Sequence, residues 1–280
     1  SGFANAPYGI ARRTMMQRNT EREIRGRVGG AFMTINHVMM LLGMGAAGLA
    51  DLYGARTLML VATGLNFVAL ILAMVLPGIG LRRRVTGGGA RLFLGLMRMP
   101  LEVRGLEHLP AGQCVVVANH ASYLDGVVMK ATLPPRFAYV VKREMASFPL
   151  AGLMLRRIGT EFVERSDRHK GASDARRVMR TANGGQPLVF FPEGTFSNER
   201  GLLKFHSGAF ITAARAGCPV VPAVIVGSRE ILPGSRALPR PGRIVVEFLA
   251  PILPAGSDTA PELRDRSRRP WMLKCTRSPN

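Results

Sequence analysis

From Leu101 onward, short apolar runs alternate with helix-length segments, and this alternation restricts the possible fold more than any other feature of the 280 residues. Strand-like runs fall at Leu101 to Val103, Cys114 to Ala118, Phe137 to Val141, Glu161 to Val163, Leu188 to Phe191, Val220 to Val226 and Ile244 to Phe248. Between them lie helix-compatible segments at Leu124 to Thr132, Pro149 to Ile158, Ser173 to Asn183 and Ser207 to Ala216. Ser173 offers an N-cap, while Gly184-Gly185 and Gly217 supply stops. Strands and helices alternating at these lengths predict an α/β fold with a largely parallel sheet flanked by helices. Glu262 to Cys275 reads as a last helix interrupted by Pro270, followed by a tail, which ends the folded domain near residue 265 and leaves 266–280 as a C-terminal tail.

The first 80 residues have a different character. Ala31 to Ala50 and Thr57 to Gly80 contain no Lys, Arg, Asp or Glu. Each is about long enough to cross a hydrocarbon core, which takes roughly 20 residues. A buried soluble hairpin is the competing reading, but two adjacent uncharged runs of this length favour a transmembrane hairpin preceding the α/β domain. Gly43, Gly45 and Gly48 give small-residue spacing suited to close helix contact. Six Arg stand against two Glu before the first run, and five Arg with no acid follow the second. The positive-inside rule therefore places both flanks in the cytoplasm. No charged region with a cleavage site precedes the first run, so no signal peptide is expected. Residues 81–90, with three Arg and Gly87-Gly88-Gly89, read as a linker. Arg91 to Met99 reads as a short helix ended by Pro100.

The chain carries 38 Lys and Arg against 18 Asp and Glu, a formal charge of +20. Such an excess fits either nucleic acid or an anionic lipid surface. Single-strand binders interleave aromatics with basic residues, yet there are only 1 Trp, 4 Tyr and 13 Phe. Beside two apolar runs, lipid is the expected partner and nucleic acid is not. Cys114, Cys218 and Cys275 are scattered, with no paired or Cys/His ligand spacing, so neither a disulfide framework nor a metal site is expected.

Four polar islands punctuate the α/β segment, each beside a strand run. They are Asn119-His120-Ala121-Ser122-Tyr123-Leu124-Asp125, Gly159 to Arg165, Phe190 to Ser197, and Val220-Val221-Pro222-Ala223. Strand ends of a parallel sheet gather at one edge, so residues distant in sequence meet there. One imidazole and one carboxylate, His120 and Asp125, stand where a buried strand hands over to a helix. By itself that spacing also fits a capped turn. Of the other histidines, His37 falls in an uncharged run, His108 and His169 in polar loops, and His206 shortly after the third island.

These islands, taken in order, resemble the four sequence blocks of the PlsC-type glycerolipid (lysophospholipid) acyltransferases over about residues 90–265. Asn119-His120-x-Ser122-x-x-Asp125 matches the first block, Phe162-Val163-Glu164-Arg165 the second, Phe191-Pro192-Glu193-Gly194-Thr195 the third and Val221-Pro222 the fourth. In the second block the family more often has an aromatic or Ile, then Asp or Glu, then Arg. Residues 1–80 resemble the end of a major facilitator transporter, through Arg25-Gly26-Arg27-Val28 and Gly48 to Arg56. They read as its last two transmembrane helices.

The resemblance implies an acyl transfer from acyl-CoA or acyl carrier protein to lysophosphatidate or a related lysophospholipid, with no further cofactor. His120 would be the general base for an acceptor hydroxyl, and Asp125 would hold its tautomer. Arg165 would meet the acceptor phosphate. Gly194 and Thr195 would sit beside it, with Glu193 orienting Arg165 or a glycerol hydroxyl. Asn119, Ser122 and Lys204 would support the site. Ser122 as a covalent nucleophile competes with a capping role. Lys142 and Arg143 read as surface charges. The implied setting is a multi-pass protein of the cell inner membrane with the catalytic domain on the cytoplasmic side, the missing part of a transporter being one partner. The alternative is a transporter fragment whose acyltransferase domain is inactive or regulatory.

Overall fold

The computed structural model describes residues 75–164, 168–195, 201–234, 239–254 and 259–275, together with Gly64, Val68, Ile71 and Leu72. Seven strands form one sheet: β1 (Leu101–Arg104), β2 (Val115–Ala118), β3 (Ala138–Lys142), β4 (Glu161–Val163), β5 (Leu188–Phe190), β6 (Val220–Val226) and β7 (Ile244–Phe248). Their spatial order is β1-β7-β6-β2-β5-β3-β4. From β6 across to β4 every pairing is parallel, while β7 runs antiparallel to β6 and carries β1 parallel to itself. The predicted largely parallel sheet is thus present.

Strand β2 shows why the sequence folds this way. Its Val-Val-Val-Ala run is buried at every position. Val116 and Ala118 pack into one core, Val115 and Val117 into another on the opposite face. A strand without polar alternation is stable only where both faces are covered, the condition in the middle of a parallel sheet. The antiparallel turn to β7 follows from the connection. Between β6 and β7 the described chain contains only the short helix α6 (Ser228–Ile231), and no crossover helix carries it back to the starting edge.

The covering helices are α1 (Ile79–Leu96) and α2 (Asp125–Thr132) on one face, and α4 (Arg168–Asn183), α5 (Gly208–Ala216) and α7 (Ala260–Cys275) on the other. Helix α3 (Pro149–Arg157) lies between β3 and β4 in the chain.

Two domain boundaries differ from expectation. Residues 81–90 are not a linker: they lie inside α1. The three consecutive glycines each cost a helix about 1 kcal/mol relative to alanine, but at Gly87 close packing offsets this. A Cβ on Gly87 would stand 3.3 Å from the Lys130 carbonyl, so glycine lets α1 approach α2. Arg83, 5% exposed, anchors the same helix by donating to the carbonyls of Ile158 at 2.8 Å, Arg136 at 3.2 Å and Gly159 at 3.3 Å. Nor is 266–275 a tail. Helix α7 runs to Cys275, and Trp271 is fully buried, edge-on to Phe205 at 4.8 Å. The helix begins earlier than its apolar pattern suggested because Glu262 accepts both the Thr259 N–H at 2.7 Å and its hydroxyl at 3.0 Å, an N-terminal capping arrangement.

Residues 1–63 and most of 64–74 lie outside the described residues, and with them the expected transmembrane hairpin. Among the described residues no helix is long and apolar enough to cross a membrane.

Candidate active site

The parallel pairing of β2 with β5 brings the first and third islands to one edge, where these strands end; the fourth, Val220 to Ala223, lies instead in the first half of β6, alongside β2. Asn119 is the first residue beyond β2. Its side-chain amide donates to the Ile225 carbonyl at 2.9 Å and accepts the Ile225 N–H at 2.7 Å. The amide thereby continues the β2–β6 ladder by one rung and fixes where His120 leaves the sheet. Asn119 is a positioning residue, 8% exposed.

Asp125, the first residue of α2, is completely buried. One of its oxygens, Oδ2, accepts three bonds: from His120 Nδ1 at 2.9 Å, from the Ala121 N–H at 2.6 Å and from the Ser122 N–H at 2.8 Å. Two backbone donors and the His120 ring thus converge on one carboxylate oxygen at the start of a helix. A carboxylate can only accept, so the proton on the facing ring nitrogen belongs to His120 Nδ1. The other nitrogen, Nε2, is left as the basic one. The His120 side chain is 22% exposed and lies on Phe191, with ring centroids 4.6 Å apart and planes tilted by 32°. Phe191 carries a role the sequence reading missed. Its place in the third block showed it to be near the site, but not that its ring supports the imidazole.

Glu193 meets His120 through the backbone. It is 3% exposed; Oε1 accepts the His120 N–H at 2.8 Å and Oε2 the Leu203 N–H at 2.7 Å. Burial pushes its carboxyl pKa up, against the pull of the His120 and Leu203 N–H groups. Glu193 therefore braces the turn that carries His120 against the 201–207 segment. The His206 N–H adds a second tie, to the Pro192 carbonyl at 2.8 Å. Ser122 is fully buried, donates its hydroxyl to the Leu232 carbonyl at 2.7 Å and accepts the Leu124 N–H at 3.1 Å. Those contacts are the structural role, not that of a nucleophile.

Gly194 and Thr195 line the same cavity as His120. Gly194 has φ +71°, a conformation that favours glycine. Lys204 is exposed and stands outside the cavity lining. Arg165 lies outside the described residues, although the strand leading to it, β4, pairs parallel with β3 and so ends at the same edge. Arg143, read from the sequence as a surface charge, is instead paired with Asp174, which is 1% exposed. Asp174 also accepts from Arg177 at 2.9 Å and from the Glu164 N–H at 2.8 Å. His108 is structural, its Nδ1 lying 2.8 Å from the Phe248 carbonyl.

The cavity at His120 has a volume of about 520 Å³ and runs between α1, α2, β3 and α3. Its walls are largely apolar, with Val127, Val140, Met154, Leu155 and Ile158 among them. A base at the rim of an apolar slot of this size suits a reaction in which a long hydrocarbon is held while a polar head reacts.

The acyltransferase family model matches residues 100–226. A lyso-ornithine lipid O-acyltransferase of Pseudomonas aeruginosa is 35% identical over 195 residues, which cover 66% of this chain and 72% of that protein. The chain belongs to the PlsC-type acyltransferase family. A chloroplastic 1-acyl-sn-glycerol-3-phosphate acyltransferase of Brassica napus is 32% identical over 160 residues, 56% of this chain. The chain spans about half the length of such chloroplastic relatives, 46% of the Brassica protein and 57% of one from Arabidopsis thaliana. Among solved structures, the 1-acyl-sn-glycerophosphate acyltransferase PlsC of Thermotoga maritima superimposes with a TM-score of 0.64 over 75% of this chain and 87% of that one. At 22% identity, that likeness establishes the acyltransferase fold. The transporter resemblance of residues 1–80 finds no support among these relatives.

Proposed function

We propose that this protein is an O-acyltransferase. It moves an acyl group from a thioester donor, acyl-CoA or acyl carrier protein, to a free hydroxyl of a lysophospholipid, lysophosphatidate being the simplest acceptor. The observation that carries this reading is the His120–Asp125 pair, 2.9 Å apart at the rim of the apolar cavity. A thioester needs no covalent enzyme intermediate if the acceptor hydroxyl is deprotonated as it attacks. His120 Nε2 takes that proton while the hydroxyl oxygen bonds to the thioester carbonyl carbon. The Asp125 carboxylate stabilises the imidazolium that results. Collapse of the tetrahedral species breaks the carbon–sulfur bond, and the departing thiolate takes the proton from His120, leaving an ester, a thiol and the neutral base.

In this reading Arg165 meets the acceptor phosphate, with Gly194 and Thr195 beside it. Matched relatives named as 1-acyl-sn-glycerol-3-phosphate acyltransferases support lysophosphatidate as acceptor. The Pseudomonas aeruginosa relative makes a lyso-ornithine lipid the second acceptor to try. The reaction takes place on the cytoplasmic side of the inner membrane, where the acceptor resides. Exposed Ile79, Leu81 and Leu92 on α1, interspersed with exposed Arg84 and Arg91, suit contact with an anionic bilayer. The test is acyl transfer by membranes containing the protein, using acyl-CoA and acyl carrier protein donors with a panel of lysolipid acceptors. His120→Ala should abolish ester formation. Full turnover by that variant would refute the assignment, and would favour the transporter reading with a regulatory domain.

A further inference from the structure

The apolar cavity at His120 is not apolar to its end. On β3, Lys142 marks the rim, and Tyr139 lines the cavity three residues earlier, about 10 Å deeper at strand rise. On α2, Gly126, Val127 and Lys130 face the same space at helical spacing, with Lys130 in the last turn. Lys130 and Tyr139 therefore meet at the end away from His120, where the ammonium nitrogen lies 5.6 Å from the centre of the Tyr139 ring.

Both groups are short of partners. Tyr139 is 8% exposed, and its hydroxyl is buried with no hydrogen bond in the described structure. Around Lys130 the described contacts show the tyrosine ring and no carboxylate. The Arg83 charge repels it, and Arg83 has its own donors committed to backbone carbonyls. Burial, then Arg83, pushes the Lys130 pKa down to about 8, which leaves it mostly a cationic donor at neutral pH. Filling this end with plain hydrocarbon would leave an ammonium and a hydroxyl both unsatisfied. An oxygen carried by the bound chain at that depth would satisfy both.

We infer that Lys130 and Tyr139 form a polar subsite at the deep end of the cavity that recognises an oxygen substituent on the acyl chain, selecting a mid-chain hydroxy-acyl group over plain hydrocarbon of equal length. For a thioester carbon held level with Lys142, a depth of about 10 Å takes about eight methylenes of extended chain, which puts the recognised carbon near position nine or ten. The inference rests on the acyl-transfer reading and names the donor's chemistry.

The test compares kcat/KM of the membrane-bound protein for three acyl-CoA donors of one length: unsubstituted, hydroxylated at carbon 3, and hydroxylated near carbon 10. The wild type should favour the mid-chain hydroxyl by about tenfold or more and gain nothing from carbon 3. Lys130→Met and Tyr139→Phe, both close in volume, should each bring that ratio toward one by gaining on the plain chain and losing on the hydroxylated one. A wild-type ratio near one, a preference surviving in both variants, or an equal preference for the carbon-3 hydroxyl would overturn the inference. No turnover with any donor would instead refute the acyl-transfer reading.

Discussion

Replacing Asp125 by Asn separates two contributions of that carboxylate. Oδ2 accepts two backbone N–H groups as well as His120 Nδ1. An amide placed there must present its oxygen to all three, because its NH2 would face two donors and leave them unpaired, at about 1–3 kcal/mol each. The Asp125→Asn variant therefore keeps the proton on Nδ1 and the base on Nε2. What it loses is the charge opposite the developing imidazolium. Hydrogen bonds to charged groups exceed neutral ones by about 1–2 kcal/mol, and the Coulomb attraction at about 4 Å is on the order of 4 kcal/mol at an effective dielectric of 20. A net loss of about 2.7 kcal/mol in the transition state means a roughly hundredfold fall in kcat. Asp125→Ala removes the orientation as well and should fall about ten-thousandfold, the scale seen when a catalytic His loses its tautomer control. The assay is release of free thiol from acyl-CoA dependent on added lysophosphatidate, with nitrogen-15 NMR of the His120 ring reporting the tautomer. Equal loss in the Asn and Ala variants, or an Nε2-protonated ring in Asp125→Asn, would refute this reasoning.

Three further outcomes follow from the same contacts. Ser122→Ala should keep kcat within about threefold and lose about 1 kcal/mol of stability, measured by turnover and denaturant unfolding; abolished turnover with the fold intact would restore Ser122 as nucleophile. Glu193→Gln should lower kcat by roughly tenfold, for about 1.4 kcal/mol of misplacement, with little change in acceptor KM, since Glu193 holds the His120 and Leu203 backbones; a rise in acceptor KM at constant kcat would return it to acceptor binding. For Asp174, burial pushes the carboxyl up, while Arg143, the Glu164 N–H and Arg177 outweigh that and hold its pKa below the ordinary 3.8. Its stabilisation is therefore present above that value and lost as pH falls through the lower folded-state pKa. Asp174→Asn should be less stable than wild type at neutral pH, by about 2 kcal/mol after allowing for the exposure of both arginines, and the gap should close below about pH 4 in acid-unfolding curves.

Much of this was legible in the residues alone. The seven strand-like runs are the seven strands, and the clearest of them, Cys114 to Ala118, is apolar throughout because β2 is buried on both faces. The blocks around His120 and Glu193 were legible as a shared edge, because parallel strands end together. The chemical types of the pair were legible too, although an imidazole and a carboxylate at a strand–helix junction also fit a capped turn, and only the four blocks together pointed to chemistry.

Other features depended on contacts between distant segments, which local pattern does not encode. Gly87-Gly88-Gly89 reads as linker by propensity, yet α1 exists because glycine admits α2 at close range and Arg83 finds carbonyls more than fifty residues away. Trp271 looked like tail until α7 buried it against Phe205. Glu193 belonged to the site by position, but only the fold showed both oxygens occupied by backbone N–H groups. Lys130 sat in the sequence as one more cation among 38 basic residues; tertiary packing alone placed it over the ring of Tyr139, whose hydroxyl is unpaired, in an apolar slot. The sequence by itself determined which chemical groups are available and the order of strands and helices that carries them, because propensity and hydrophobic period act over a few residues. Which of those groups are satisfied, which are exposed to substrate and which are held in reserve was decided only by the tertiary structure, since desolvation and hydrogen-bond pairing depend on what the rest of the chain brings within a few ångströms.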